Sequence, residues 1–291
     1  MALASHQAGA HAVAGNRVFP VTLTMDDPGV SDEASVPTFS WVNSGGDTPV
    51  NQYGFNFEYD KTITENFGLG LNWGWNLNQV AGGKTAGGFQ NLSLTAKYQT
   101  YVNAPHELII SVGVVREFGG TGNINQGADR FGSTSPTVYM GKGLGDLPIG
   151  MLRPLAVTGE FSYNIQDVRL NSTGDNGGGQ NSVNPALSIQ YSMPYLQSQV
   201  KDVGLPDFFN HLIPLVELTW NVPTGGVVMP QPTTFTIAPG VIYMGDTWEV
   251  GVEALIPGNK ATGNHVGVIA MFHLFFDDLF PNSLGKPLVD W

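Results

Sequence analysis

The residues of this chain best suited to chemistry are the carboxylates Glu58, Glu160, Glu217, Glu249 and Glu253, with Lys97 and His273 as ionisable companions. Each falls among the small or polar positions of an alternating stretch, opposite large apolar ones. Counted from one end of their stretches, Glu160, Glu217 and Glu253 each lie about six residues in, and on alternate neighbouring strands they would stand about 10 Å apart. Carboxylates so placed attract cations. That pattern points to a cation-preferring constriction, or to a filter for solutes bearing amine or hydroxyl groups. The competing reading is a filled lumen, in which the same glutamates pair with Lys97, Arg116, Arg153 or tyrosine hydroxyls.

Catalysis has less to stand on. A barrel hydrolase needs a Ser, a His and a polar group that orients the His. His6, His11 and His106 belong to the leader or a turn, His211 borders a loop, His265 opens the final stretch, and only His273 is placed to point inward. Neither Gly-x-Ser-x-Gly nor His-Glu-x-x-His occurs. Gly141-Lys142-Gly143-Leu144-Gly145 has neither dinucleotide-loop nor phosphate-loop spacing and reads as a turn. Asp26-Asp27 and Asp32-Glu33 read as a solvated acidic leader in preference to calcium ligands. No catalytic residue, cofactor or metal site is expected.

The elements that must hold these groups follow from alternation. Phe67, Leu69, Leu71, Trp73, Trp75 and Leu77 alternate with Gly68, Gly70, Asn72, Gly74 and Asn76. A period of two is a β-strand with one apolar and one polar face. Strands of about 9–11 residues with bulky groups outside suit a tilted passage through a bilayer. The pattern recurs over Ser35 to Val42, Gly54 to Asp60, Asn91 to Val102, Leu108 to Val115, Pro136 to Lys142 and Leu155 to Ile165. It continues over Leu187 to Tyr195, Pro214 to Val222, Phe235 to Tyr243, Trp248 to Ile256 and Val266 to Phe276. The predicted fold is therefore all-β: a transmembrane, antiparallel, up-and-down β-barrel of about twelve strands. It spans residues 35–278, between a periplasmic N-terminal extension (1–34) and a periplasmic tail (279–291). Phe67, Leu69, Leu71, Trp73, Trp75, Val157, Leu218 and Trp220 are expected to face lipid, with Tyr59, Tyr98, Tyr195, Tyr243 and Trp248 in an interfacial girdle.

Composition agrees. Only 12% of the 291 residues are charged, about half the usual share, and 38 glycines and 19 prolines supply turns. The absence of cysteine removes disulfide scaffolds and thiolate metal sites. A net charge of −12 argues against nucleic acid as a partner. No run of about 18 apolar residues marks a transmembrane helix. Met1 to Gly15 lack the cationic start and apolar core of a signal peptide, so the expectation is an exported, trimmed chain in a bacterial outer membrane.

Lys61 to Glu65, Asn103 to His106 and Met244 to Asp246 read as tight periplasmic turns. Gln79 to Gly88, Gly119 to Gly132 and Asp167 to Ser182 read as outer loops. Leu196 to His211 is a long connection on the short-turn side, with Val203 to Leu212 either a short interfacial amphipathic helix or a packing turn.

Residues Phe57-Glu58-Tyr59-Asp60-Lys61-Thr62-Ile63-Thr64-Glu65-Asn66-Phe67-Gly68-Leu69 form a strand ending in Tyr, a Thr-containing turn, then Asn and an alternating strand. With Lys97-Tyr98-Gln99 before a short turn and an apolar, aromatic last strand, they resemble the transporter family named for the MetA pathway of phenol degradation. The resemblance implies a small outer-membrane barrel passing hydrophobic or aromatic compounds, and carries over no binding residues. The expected function is a channel or transporter for small solutes, with outer-membrane lipid and a small-molecule solute as partners. The alternatives are a closed structural barrel that docks a periplasmic or electron-transfer protein, and a soluble β-sandwich.

Overall fold

A sheet with one apolar and one polar face can hide the polar side by curling until its last strand meets its first. The computed structural model of the chain, which describes residues 12–45, 49–169, 178–224 and 231–289, has this closure. Two short strands come first, β1 (Ala12–Ala14) and β2 (Arg17–Phe19). Then follow β3 (Glu33–Asn43), β4 (Val50–Thr64), β5 (Phe67–Val80), β6 (Thr85–Phe89), β7 (Leu92–Asn103), β8 (Leu108–Phe118) and β9 (Ser133–Gly143). The series ends with β10 (Leu155–Gln166), β11 (Ser182–Tyr191), β12 (Leu212–Pro223), β13 (Thr234–Met244), β14 (Trp248–Pro257) and β15 (Gly267–Phe275).

Setting aside β1, β2 and β6, the other twelve strands form one antiparallel ring in chain order, sealed by β15 against β3. All twelve sequence-predicted stretches are strands of this ring, mostly lengthened by a few residues. Cross-strand aromatics support the outer wall: Phe57 stacks on Trp73 at 5.7 Å and Trp220 on Phe235 at 4.6 Å. Val138, Phe161, Ile189, Val216, Val252 and Phe272 stand exposed on that wall.

Three local features depart from the alternation. The sequence reading carries the eighth ring strand to Tyr195, but β11 ends at Tyr191. Ser192 caps a helical turn there, its Oγ accepting from the Tyr195 N–H at 3.2 Å, and Pro194 has no N–H for a ladder. Tyr195 is therefore buried at the barrel end and is not part of a girdle. Within the stretch read as the loop Gln79 to Gly88, β6 folds back on β5. In the long connection Leu196–Val200 forms a π-helical turn and Asp207–Asn210 an α-helical one, with Phe208 exposed and 5.4 Å from the Tyr243 ring.

The start of β3 and the end of β15 share one end of the barrel with the connections 65–66, 104–107, 144–154, 192–211 and 245–247. The far end carries 44–45, 49, 81–91, 119–132, 167–169, 178–181, 224, 231–233 and 258–266; residues 170–177 of the expected loop Asp167 to Ser182 lie outside the described residues.

At the end holding the termini, Asp32 joins three segments. Its carboxylate accepts from Lys61 Nζ at 2.5 Å and the Thr62 N–H at 2.9 Å, and its carbonyl accepts from the Phe276 N–H at 2.8 Å. Lys61 Nζ also donates to the Leu284 and Lys286 carbonyls, so the described part of the tail is folded against β4. Burial, with the Asp32 charge adding to it, pushes the Asp277 carboxyl up to about 8 from 3.8. The folded protein thus keeps a proton that the unfolded chain releases, and stability falls as pH rises through that window. Asp277→Asn is expected to flatten the fall in unfolding midpoint between about pH 4 and pH 8, measured by denaturant titration in detergent. An unchanged slope would refute the assignment.

Candidate functional site

Before β3 the chain reads Val21-Thr22-Leu23-Thr24-Met25, alternating again. This segment is not part of the ring. Thr24 bonds to β12, Asp26 to β7 and β10, the Pro28 carbonyl to β8, and Asp32 to β4. A segment that touches strands on all sides of a closed ring lies inside it. The sequence reading sets residues 1–34 apart as an extension outside the barrel; residues 12–32 instead fill the lumen. Asp27, Asp32 and Glu33, read as part of a solvated leader, are buried. His6 and His11 fall outside the described residues.

The plug is accommodated by what the wall lacks. A side chain at Gly68 would meet Val30 at 2.9 Å, and one at Gly141 would meet Pro28 at 3.0 Å and Phe19 at 3.1 Å. The inward glycines of β5 and β9 therefore leave the volume that the plug occupies.

The interior has three levels. At the end holding the termini it is apolar: Val21 and Leu23 pack among Ile213, Leu215, Ile242, Ile269, Met271 and Phe275. Phe19, Ala12 and Ala14 pack with Ile109 and Ala156. Arg17 is buried beside them, 3.1 Å from Glu107 Oε2, and donates to the Pro154 and Arg153 carbonyls. Its guanidinium lies 3.7 Å over the Tyr195 ring, and the Tyr195 hydroxyl donates to Glu107 Oε1 at 2.6 Å. Burial, followed by that hydrogen bond, pushes the Tyr195 phenol up to about 12. The cluster clamps the β1–β2 hairpin to the barrel end.

The middle level carries the sequence-predicted residues. Glu160, Glu217 and Glu253 are each the sixth residue of β10, β12 and β14. Glu217 accepts from the Thr24 N–H at 2.8 Å and from its hydroxyl, while Glu160 accepts from the Asp26 N–H at 3.2 Å. Glu253 lies over Gly240 toward Glu217. Glu253 and, nearer the end holding the termini, Glu249 are buried and have no ion pair among the described residues. Lys97 donates to Asp26 at 2.8 Å and to the Asp27 carbonyl at 3.0 Å, above the Tyr139 ring. Glu58, half-buried on β4, faces Ser35 of β3. Neither the open constriction nor the wall-to-wall pairing expected from sequence describes this level. Arg116 pairs with Asp167 and Arg153 with the Leu147 carbonyl, so Glu160 and Glu217 are bonded by the plug. Between plug and wall, beside Glu33, Asp60 and Lys97, only about 10 Å³ remains.

His273 Nδ1 lies 2.8 Å from Ser35 Oγ, and Nε2 lies 3.3 Å from Glu33 Oε2. The order Ser–His–carboxylate is that of a hydrolase triad, but all three side chains are buried where β3 joins β15. Here the chain of contacts ties the closing pair of strands together.

The far level is a cavity of about 530 Å³, floored by Thr24 and open toward the long loops. Among the described residues its lining contains no Asp, Glu, Lys or Arg, and His265 is its one ionisable side chain. Of the outward residues named from sequence, Phe67, Leu69, Leu71, Trp73, Trp75, Val157, Leu218 and Trp220 are half-exposed on the barrel exterior. Sequence reasoning missed Arg17, Thr24, Asp26 and Glu107. Two signals pointed to them: the alternation at 21–25, and paired apolar residues such as Leu212-Ile213 and Val241-Ile242, where both faces of a strand need cover.

Among solved structures the chain is similar to the COG4313 outer membrane channel from Pseudomonas putida F1. The two share 13% identity over 89% of this chain and 99% of that one, with a TM-score of 0.57. It is also similar to KdgM porin, at 12% identity over 82% and 98% with a TM-score of 0.45. The translocator domain of autotransporter NalP from Neisseria meningitidis matches at 11% identity over 86% and 88%, with a TM-score of 0.43. No protein-family model and no curated protein matches. The first likeness carries the fold: a closed antiparallel barrel of the outer-membrane kind, consistent with the bacterial outer membrane. The MetA-pathway resemblance rests on the hairpin that suggested it.

Arg17→Met leaves Glu107 buried without its cation, which should lower stability by about 3 kcal/mol. Residues 12–32 should then be cut by protease while the barrel keeps its heat-dependent gel shift. Protection equal to that of the native protein would refute the clamp.

Proposed function

We propose that the protein is an outer-membrane channel for small solutes whose lumen is closed by its own N-terminal segment. One observation supports this above the others. The strands of the plug, β1 and β2, pair only with each other and not with the ring. Moving the plug therefore breaks side-chain contacts and leaves every ladder of the barrel intact. Its middle contacts are few and polar, centred on Lys97, Glu160 and Glu217. With the plug displaced, Glu58, Glu160, Glu217, Glu249 and Glu253 line the path with Lys97 as their nearest cation, an arrangement that favours cations over anions. At the far end the path opens into the cavity that holds Val42, Gln52, Thr219, Thr236, Leu255 and Pro257, where a solute would enter.

A second reading, a closed structural barrel that docks a periplasmic or electron-transfer partner, draws on the sealed lumen and on Val203, Leu205, Phe208 and Phe209 exposed beside it. A stoichiometric partner retained through purification from the native membrane favours it.

The native chain has no cysteine, so the plug can be tethered. Thr24→Cys joined to Glu217→Cys by a short bismaleimide should stop uptake of small solutes into liposomes, while the unlinked variant conducts. Glu160→Gln with Glu253→Gln should reduce cation preference in planar bilayers. Equal uptake with and without the tether, or no conductance in any form, removes the channel reading.

A further inference from the structure

The far-end cavity differs in chemistry from the level beneath it, and the difference points to a solute class. A volume of about 530 Å³ falls within the usual range for small-molecule pockets, about 300–1,000 Å³. Among the described residues the hydrogen-bonding side chains of its wall are amides and hydroxyls, together with the imidazole of His265. Asn43, Ser44 and Thr262 are occupied by neighbours: Asn43 by Asn51 and Gly45, Ser44 by Val50, Thr262 by Phe235 and Asn259. Gln52, Thr219 and Thr236 are not, among the described residues. Thr219 and Thr236 sit side by side across the β12–β13 ladder, and Gln52 lies on β4 in the same cavity. Leu255 and Pro257 on β14 offer an apolar patch to the same space.

We infer that this vestibule is a binding subsite for an uncharged, polyhydroxylated ring, of the size and chemistry of a neutral sugar. Amide and hydroxyl side chains donate and accept at once, as vicinal hydroxyls require. The apolar patch matches the C–H face of such a ring. Among the described residues the lining has no Lys or Arg, so a carboxylate-bearing sugar meets only the imidazole of His265, and no Asp or Glu, so an amine meets no carboxylate. The carboxylates lie below Thr24, under the plug, so selection at this site precedes any encounter with them. The inference rests on the channel reading for the solute's onward route, but binding at the vestibule needs no movement of the plug.

The test uses the full chain in lipid nanodiscs, with empty nanodiscs as reference. Binding of methyl β-glucoside, glucuronate, glucosamine and benzyl alcohol is followed by saturation-transfer difference NMR and equilibrium dialysis. Methyl β-glucoside should bind, with glucuronate and glucosamine at least about tenfold weaker and benzyl alcohol unable to displace it. Thr219→Val with Thr236→Val keeps side-chain volume nearly constant and should weaken glucoside binding about tenfold, with the heat-dependent gel shift unchanged. Gln52→Leu on the opposite wall should do the same, which keeps the test informative should the double variant fail to fold. Equal binding of the three sugars, benzyl alcohol displacing the glucoside, or unaltered affinity in the folded variants overturns the inference. Glucoside that binds while no form of the protein conducts removes the channel reading and leaves the subsite. Uptake without discrimination by charge does the reverse.

Discussion

The pairing of β15 with β3 is the constraint on which the rest of this structure depends. Once the last strand of the ring bonds the first, no edge of N–H and C=O groups is left to face hydrocarbon, where an unpaired group costs several kcal/mol. The seam is also where Ser35, His273 and Glu33 meet, so side chains reinforce the backbone closure. Every other property follows from there being an inside. Alternation sends Phe67, Trp73 and Leu218 out, and the same alternation sends glycine, asparagine and glutamate in.

A ring of this size has to settle what occupies its centre. Large inward side chains would fill it and glycine empties it; here glycines on β5 and β9 make room, and residues 12–32 take it up. The plug repeats the wall's own logic. Val21 and Leu23 meet the inward isoleucines, while Thr24 and Asp26 reach the level of the carboxylates. The buried cations are matched locally, Arg17 by Glu107 and Lys97 by Asp26, as a low-dielectric interior demands.

The interior is graded along the axis, apolar packing around the Arg17–Glu107 pair at the end with the termini, carboxylates with Lys97 in the middle and neutral-polar groups at the far end. Strength of attachment follows the grading. The Arg17 cluster and the apolar packing hold the plug at one end, whereas near the far end it presents only Thr24 as a floor. The molecule is most closed near its own termini and most open among the long loops.

The twelve strands, their faces and the end on which the termini lie were legible in the residue order, because each depends on a period of two and on connection lengths read locally. It also placed Glu160, Glu217 and Glu253 at one depth, since equal offsets from strand ends become equal heights in a ring. It stopped the strand after Leu187 four residues late, because a Ser cap and a prolyl turn outweigh alternation over so short a stretch. The place of the N-terminal segment within the ring, and its bonds to Glu160 and Glu217, came from the folded molecule. Those contacts join residues 134 and 193 positions apart, Asp26 to Glu160 and Thr24 to Glu217. No local pattern encodes such a meeting: an alternating, partly acidic leader is compatible with water as well as with a lumen. What places it inside is the empty volume beside Gly68 and Gly141, which exists only when the whole sheet has closed.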